Sequence, residues 1–289
     1  MKGMIWVIMT KTDKDFYVSE KNKNFLTEIL GEENISFISV EEEDNLSFVK
    51  DTDIVLCQTR NSQIIERVCQ TGARHTAESN FTILYTKNKK VVKDNILSKE
   101  NIPFPATIDV STVREEDFPV FVKPLFGEDS NGVDERSFCE TREALNKKVR
   151  ELKSVGVTPI VEKFIKGCDA TVAILQNEDG NLEVFPVKVR LQTENNVMTH
   201  EAKMSESEIC YPCNNEELIA YAKKAFVAVG CKHYMRIDFR LDDTGRPYLI
   251  DFNLFPGLGP IDHFCKCLSL CGNFSYKDAI GKILNTAKR

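Results

Sequence analysis

The chain has 289 residues, 42% hydrophobic and 28% charged, enough for one large or two to three small domains with an ample core. Its formal net charge of −6 supplies no basic footprint for nucleic acid or an anionic membrane. No apolar run approaches the ~20 residues of a membrane span, and the run before Lys11 is too short for a signal core, so a cytoplasmic protein is expected.

Ten cysteines are scattered along the chain and read as reduced thiols packed as small apolar groups. Cys210-x-x-Cys213 and Cys265-x-Cys267-x-x-x-Cys271 have the thiols for a zinc ion. The second cluster lacks the spacer of a tight-turn ligand pair, so packing is the expected role.

Met4–Met9 reads as a buried strand, and Ser19 as the cap of a helix through Leu30 that Gly31 stops. Ile35–Val40 and Asp53–Cys57 read as strands, Glu41–Asp44 as a solvated turn, and Ser62–Gln70 as a helix ending near Gly72. This alternation implies a mostly parallel sheet covered by helices, with ligands beyond the carboxyl ends of the strands. Thr10–Tyr17 and Cys57–Asn61 are therefore candidate substrate-facing loops.

Residues 81–105 read as a linker into a basic helix ended by Pro103 and Pro105, with Lys89, Lys90 and Lys93 on a solvated face. Phe118–Pro124 is a buried strand with Lys123 near its end. The small polar stretch Gly127–Gly132 follows, with backbone N–H groups suited to phosphate oxygens but without the Gly-Lys-Ser/Thr of a P-loop. Glu135–Leu152 reads as one amphipathic structural helix. Pro159–Ile165 is an apolar strand interrupted by Glu162 and Lys163, whose charges need partners. Thr171–Leu175 and Leu182–Arg190 read as a hairpin. Thr199–Lys203 carries no clear element signal, and His200 within it reads as a surface histidine. Asn215 caps a helix, Glu216–Val229, that Gly230 ends, and Asp278–Ala287 closes the chain as an amphipathic helix.

Met235–Gly257 organises the rest. Turn chemistry at Asp242–Gly245 joins two alternating runs. Alternation places Arg236, Asp238 and Arg240 on one face of the first run, and Leu249, Asp251 and Asn253 on one face of the second. If these faces coincide, Asp238, Asp251 and Asn253 offer oxygens to a hard cation such as Mg²⁺, with Arg236 beside them. The plain alternative is a solvated hairpin with a salt bridge, but the second run leaves through the apolar Asn253-Leu254-Phe255-Pro256-Gly257.

This hairpin resembles the metal-binding end of the ATP-grasp ligases, in the D-alanine–D-alanine ligase branch. The likeness is carried by Arg236, Asp238, Gly245, Pro247, Tyr248, Asn253, Pro256 and Gly257, and departs at Asp251, where the family has Glu. PVFVKP, VEKFIKGCD and HEAK resemble further family segments in family order, so the resemblance runs from Lys90 to about Gly257.

The resemblance implies an α/β protein of three-subdomain ATP-grasp fold. Residues 1–80 would form a parallel α/β domain, 81–166 a central lid subdomain, and 167–289 a C-terminal subdomain, the last two sandwiching ATP. It implies phosphate contacts from Lys90 and Ser130, and Lys123 on the adenine and α-phosphate. Glu162 and the backbone at Lys163 and Ile165 would bond the adenine edge. Asp169, where the family has Glu, would take the ribose, and Lys203 the γ-phosphate. Mg²⁺, with Mn²⁺ as an alternative, would sit on Asp238, Asp251 and Asn253. Arg236 and the backbone N–H at Gly257 would stabilise an oxyanion.

The implied function is an ADP-forming carboxylate–amine ligase acting through an acylphosphate on an amino acid or small peptide-like substrate. Its partners would be small molecules, not nucleic acid or membrane, with room for a homodimer. Two rivals remain: a ligase or kinase with a hydroxyl or thiol acceptor, and a nucleotide-binding regulatory protein without turnover. The family's glycine-rich substrate loop is missing after Met9, so substrate choice does not carry over. The family's acceptor-carboxylate position falls on Asp262, which would repel a carboxylate by about 4 kcal/mol at 4 Å and an effective dielectric of 20. An acceptor other than an ordinary α-amino acid held by its carboxylate is expected, although Asp262 also suits a helix cap.

Overall fold

The Ile5–Met9 run (β1) is apolar throughout because it is flanked on both sides by parallel partners. It pairs with β2 (Ile35–Ser39) and β3 (Ile54–Cys57), and a short β4 (Arg74–His75) extends the sheet in the order β2-β1-β3-β4. The computed structural model describes residues 3–10, 19–41, 44–126, 132–191 and 208–289. Helices α1 (Glu20–Leu30) and α2 (Ser62–Gln70) begin where a side chain takes an orphan backbone donor: Ser19 accepts from Asn22 N, and Asn61 from Gln63 N and Ile64 N.

The segment expected as a linker is helical from its start. Ser79 accepts from Thr82 N and opens α3 (Asn80–Lys87), and Asn88 accepts from Lys90 N and Val91 N and opens α4 (Lys89–Val92), which continues as a π-turn through Leu97. A second four-stranded sheet follows, ordered β5-β8-β6-β7 from β5 (Thr107–Ile108), β6 (Val120–Pro124), β7 (Phe138–Cys139) and β8 (Pro159–Lys163). The expected helix over 135–152 is a different arrangement. Asp134 and Ser137 close a 3₁₀ turn, β7 follows, and Thr141 caps α5 (Arg142–Ser154) by accepting from Ala144 N. Two early caps consume the donors that a continuous helix would need.

The third sheet is ordered β11-β10-β9-β12-β13, from β9 (Gly167–Gln176), β10 (Leu182–Leu191), β11 (Glu208–Pro212), β12 (Tyr234–Asp242) and β13 (Pro247–Asn253). Gly167 has φ +143°, and a Cβ there would lie 1.9 Å from the Leu241 carbonyl oxygen, so only glycine lets β9 start against β12. Helices α6 (Glu216–Ala228, capped by Asn215), α7 (His263–Gly272) and α8 (Tyr276–Asn285) complete the chain.

Among the described residues two apolar cores result. One joins the first and third sheets, from Val7 and Leu56 to Ile174, Met235 and Phe255. The other is small and belongs to the central sheet and α5, with Val120, Val122, Leu145 and Val161. All ten cysteines are free of disulfides. No helix among the described residues is long and apolar enough to cross a membrane.

Candidate functional site

In the β12–β13 hairpin Arg236 faces Asn253 and Asp238 faces Asp251, after which the register shifts and Phe239 faces Leu249. Ile250 is the extra residue of a β-bulge. The bulge corrects the expected phase: Leu249 turns to the apolar side and is buried, while Asp251 and Asn253 stay on the side of Asp238. The bulge also frees the Ile250 carbonyl to accept a hydrogen bond from Lys123 Nζ at 3.0 Å.

Asp238 is the hub of this face. One oxygen accepts from Arg236 Nε at 2.9 Å and Thr171 Oγ1 at 2.7 Å, and the other from Arg236 Nη2 and Asn253 Nδ2, both at 2.9 Å. Asp251 lies opposite, with Lys89 Nζ 3.3 Å from its Oδ1. The arrangement brings Asp238, Asp251, Asn253 and Arg236 together on one sheet face, and their oxygens are the donor set a hard cation takes.

A second charged cluster abuts the first. Glu162 is buried, 2% exposed, and pairs with both Lys123 Nζ at 3.0 Å and Lys93 Nζ. Burial alone would raise the Glu162 pKa, but the Lys123 and Lys93 ammonium groups outweigh it and hold the carboxyl below its ordinary range. Burial lowers the Lys93 pKa, and the neighbouring Lys123 and Lys89 charges work in the same direction. Three lysines around two carboxylates make a cationic pocket that phosphate oxygens would suit.

Other sequence-expected residues fall as follows. Asp169 faces Arg240 across the β9–β12 pairing, and Arg240 Nη1 lies 2.7 Å from its Oδ1. Burial still raises the Asp169 pKa. Arg240 Nε also donates to the Ile165 carbonyl at 2.9 Å, and its guanidinium lies 5.2 Å from the Phe164 ring. The Lys163 side chain is exposed, and its backbone N donates to the Ala106 carbonyl. Lys90 is not brought to the cluster. Its side chain is 60% exposed and pairs with Asp94 at 2.6 Å, while Lys89 points inward. Ser130, His200 and Lys203 lie outside the described residues.

Gly257 lies in close approach to Asp262, since a Cβ there would sit 2.6 Å from Asp262 Oδ2. Asp262 occupies the N-cap position of α7 without a side-chain cap bond. Its carboxylate turns back to accept from Gly259 N at 2.7 Å and from Asn22 Nδ2 of α1 at 2.9 Å. Arg60, in the loop that follows β3, lies 6.0 Å from the Phe255 ring. The carboxyl end of the first sheet therefore borders the exit of the hairpin.

Sequence reasoning missed Lys89, Lys93, Thr171 and Arg240. Lys89 and Lys93 had a usable signal: Asn88 is an N-cap residue type, and a helix started there puts positions 89 and 93 on one face and 90 and 94 on the next. Thr171 and Arg240 find their partners only through strand pairing distant in sequence.

A family profile described as the D-ala D-ala ligase C-terminus matches residues 90–285. The D-alanine–D-alanine ligase of Hydrogenovibrio crunogenus is 33% identical over 171 residues, covering 54% of this chain and 52% of that protein. The match thus spans about half the length of that relative. Among solved structures, a D-alanine–D-alanine ligase from Bacillus anthracis complexed with ATP superposes with TM-score 0.72 at 20% identity, covering 98% and 97% of the two chains. The VanG D-Ala:D-Ser ligase from Enterococcus faecalis gives TM-score 0.74 at 14% identity, covering 99% of each.

Proposed function

Given that the chain belongs to the D-Ala–D-Ala ligase family and has the ATP-grasp fold, we propose that it is an ATP-dependent carboxylate–amine ligase. One observation carries the reading: the Lys93–Glu162–Lys123 cluster meets the Asp238–Asp251–Asn253 face through Lys123 on the Ile250 carbonyl and Lys89 on Asp251. Cationic and anionic groups thus stand side by side, as a bound polyphosphate and its cation require.

In this reading a substrate carboxylate attacks the γ-phosphate to give an acylphosphate and ADP, and an amine then attacks the acyl carbon, forming the amide as the C–O bond to phosphate breaks and inorganic phosphate and a proton leave. Lys89, Lys93 and Lys123 hold the phosphates, Glu162 keeps the two buried ammonium groups in place, and Asp169 takes the ribose with Arg240 fixing its orientation. The backbone around Lys163 and Ile165 borders the adenine. Asp238, Asp251 and Asn253 would hold Mg²⁺, or Mn²⁺ in its place, which neutralises phosphate charge when bound. Arg236 lies on the same face and stabilises the developing oxyanion with the backbone at Gly257. For Ser130 and Lys203, outside the described residues, the reading keeps the phosphate roles that the family resemblance implies. The substrates are small molecules, an amino acid or peptide-like carboxylate and an amine.

The test is ADP release with ATP, Mg²⁺ and a mixed amino-acid pool. Turnover that depends on the pool supports the reading, and none with any pool overturns it.

A further inference from the structure

Glu208 and Cys210 stand two residues apart on β11 and so project from one face, while Ile209 between them is 51% exposed. The first turn of α7 covers that face and brings His263 onto it. His263 Nε2 lies 2.8 Å from Glu208 Oε2, and Lys266 Nζ 2.6 Å from Glu208 Oε1. One donor atom each of Glu208, Cys210 and His263 lies within 4.8 Å of the other two, and all three side chains are half-buried.

We propose that Glu208, Cys210 and His263 form a zinc site, distinct from the oxygen-lined face of Asp238, Asp251 and Asn253. An imidazole nitrogen, a thiolate sulfur and a carboxylate oxygen are the donors that zinc combines in a tetrahedral shell, whereas Mg²⁺ takes oxygen alone. The two sites therefore sort cations by softness. Three protein ligands leave the fourth position to water or another small donor.

The Lys266 ammonium faces an incoming dication. It holds Oε1 of Glu208, as an outer-shell partner does for a ligating carboxylate, while Oε2 and His263 Nε2, which meet each other in the metal-free site, are the two atoms that the ion would come between. Its side chain is 30% exposed, so the ammonium can turn toward water. Zinc takes cysteine as its thiolate, so binding releases the thiol proton to solvent and should tighten as pH rises. The bound ion would fasten the edge strand β11 to α7, which directly follows the Asp262 turn.

The test uses the full chain dialysed against zinc with Mg²⁺ in large excess, then repeated with cobalt. One zinc retained per chain is expected, with a thiolate-to-cobalt charge-transfer band in the near ultraviolet. Cys210→Ser and His263→Gln should each weaken zinc binding by more than about tenfold, the lower bound known for losing even an outer-shell partner. Cys69→Ser, at an exposed thiol far along the chain, should leave binding unchanged. If His263→Gln melts early without metal, Cys210→Ser carries the comparison. No retained zinc, zinc displaced by Mg²⁺, or binding unchanged in both ligand variants would each overturn the site. The readout needs no turnover, so its failure is separate from failure of the ligase reading.

Discussion

The Lys123 ammonium donates to the Ile250 carbonyl at 3.0 Å, tying the end of β6 to the bulge of β13. The same ammonium lies 3.0 Å from Glu162 Oε2. Lys123→Met should therefore act twice. Breaking a buried pair costs about 3–5 kcal/mol, and since Lys93 still serves Glu162 the loss should fall below about 3 kcal/mol. Nucleotide affinity should fall as well. Urea unfolding and ATP titration measure the two effects, and unchanged ATP affinity would remove Lys123 from the nucleotide site.

Lys89 and Lys90 should separate cleanly. Lys90 forms an exposed i,i+4 pair with Asp94, so Lys90→Ala should change stability by no more than about 0.5 kcal/mol and leave ATP binding intact. Lys89→Ala removes the cation beside Asp251 and should weaken ATP binding strongly. The reverse order in a binding titration would restore Lys90 as the phosphate lysine.

Asn253→Ala should suppress Mg²⁺-dependent ADP release while the protein still folds. It removes one hydrogen bond to Asp238, a loss of about 1 kcal/mol. Full turnover in this variant would take the hairpin out of the catalytic centre.

His233 predicts a pH response. It is 3% exposed, its ring nitrogens lie 2.8 Å from the Thr286 carbonyl and 3.2 Å from the Ala77 carbonyl, and burial lowers its pKa from 6.5 to about 4. The folded value lies below the unfolded one, so the contribution is fully present above pH 6.5 and drains away as pH falls toward 4. The separation corresponds to about 3 kcal/mol. Unfolding free energies of wild type and His233→Gln should diverge in slope across this window, and parallel curves would show that the ring titrates normally.

The acceptor prediction concerns Asp262, whose carboxylate stands beside Gly257 with Asn22 and Gly259 as partners. With ATP, Mg²⁺ and D-alanine alone, D-alanyl-D-alanine should form more slowly than the product of another carboxylate–amine pair. Comparable rates would show that Asp262 does not oppose an acceptor carboxylate.

Much of the fold was legible because capping side chains mark element starts, as at Ser19 and Asn215. The charged run after Glu135 hid the Thr141 cap, so a 3₁₀ turn, a short strand and α5 read as one helix. The acidic face of the hairpin was legible from alternation, but the bulge was not, because strict alternation has no place for an extra residue. Partners such as Arg240 for Asp169 escaped for a plainer reason: they meet only after β9 and β12 pair.

The two separate cores give the nucleotide region a thermodynamic character. Between them runs a seam of polar joints, Lys93 on Glu162, Lys123 on the Ile250 carbonyl and Arg240 on the Ile165 carbonyl. A polyphosphate entering this seam would exchange one set of ion partners for another without opening or covering much apolar surface. Burial of apolar surface is what makes the heat-capacity change of binding strongly negative. The phosphate contacts along this seam should therefore add little to the heat-capacity change, which would report on the base instead.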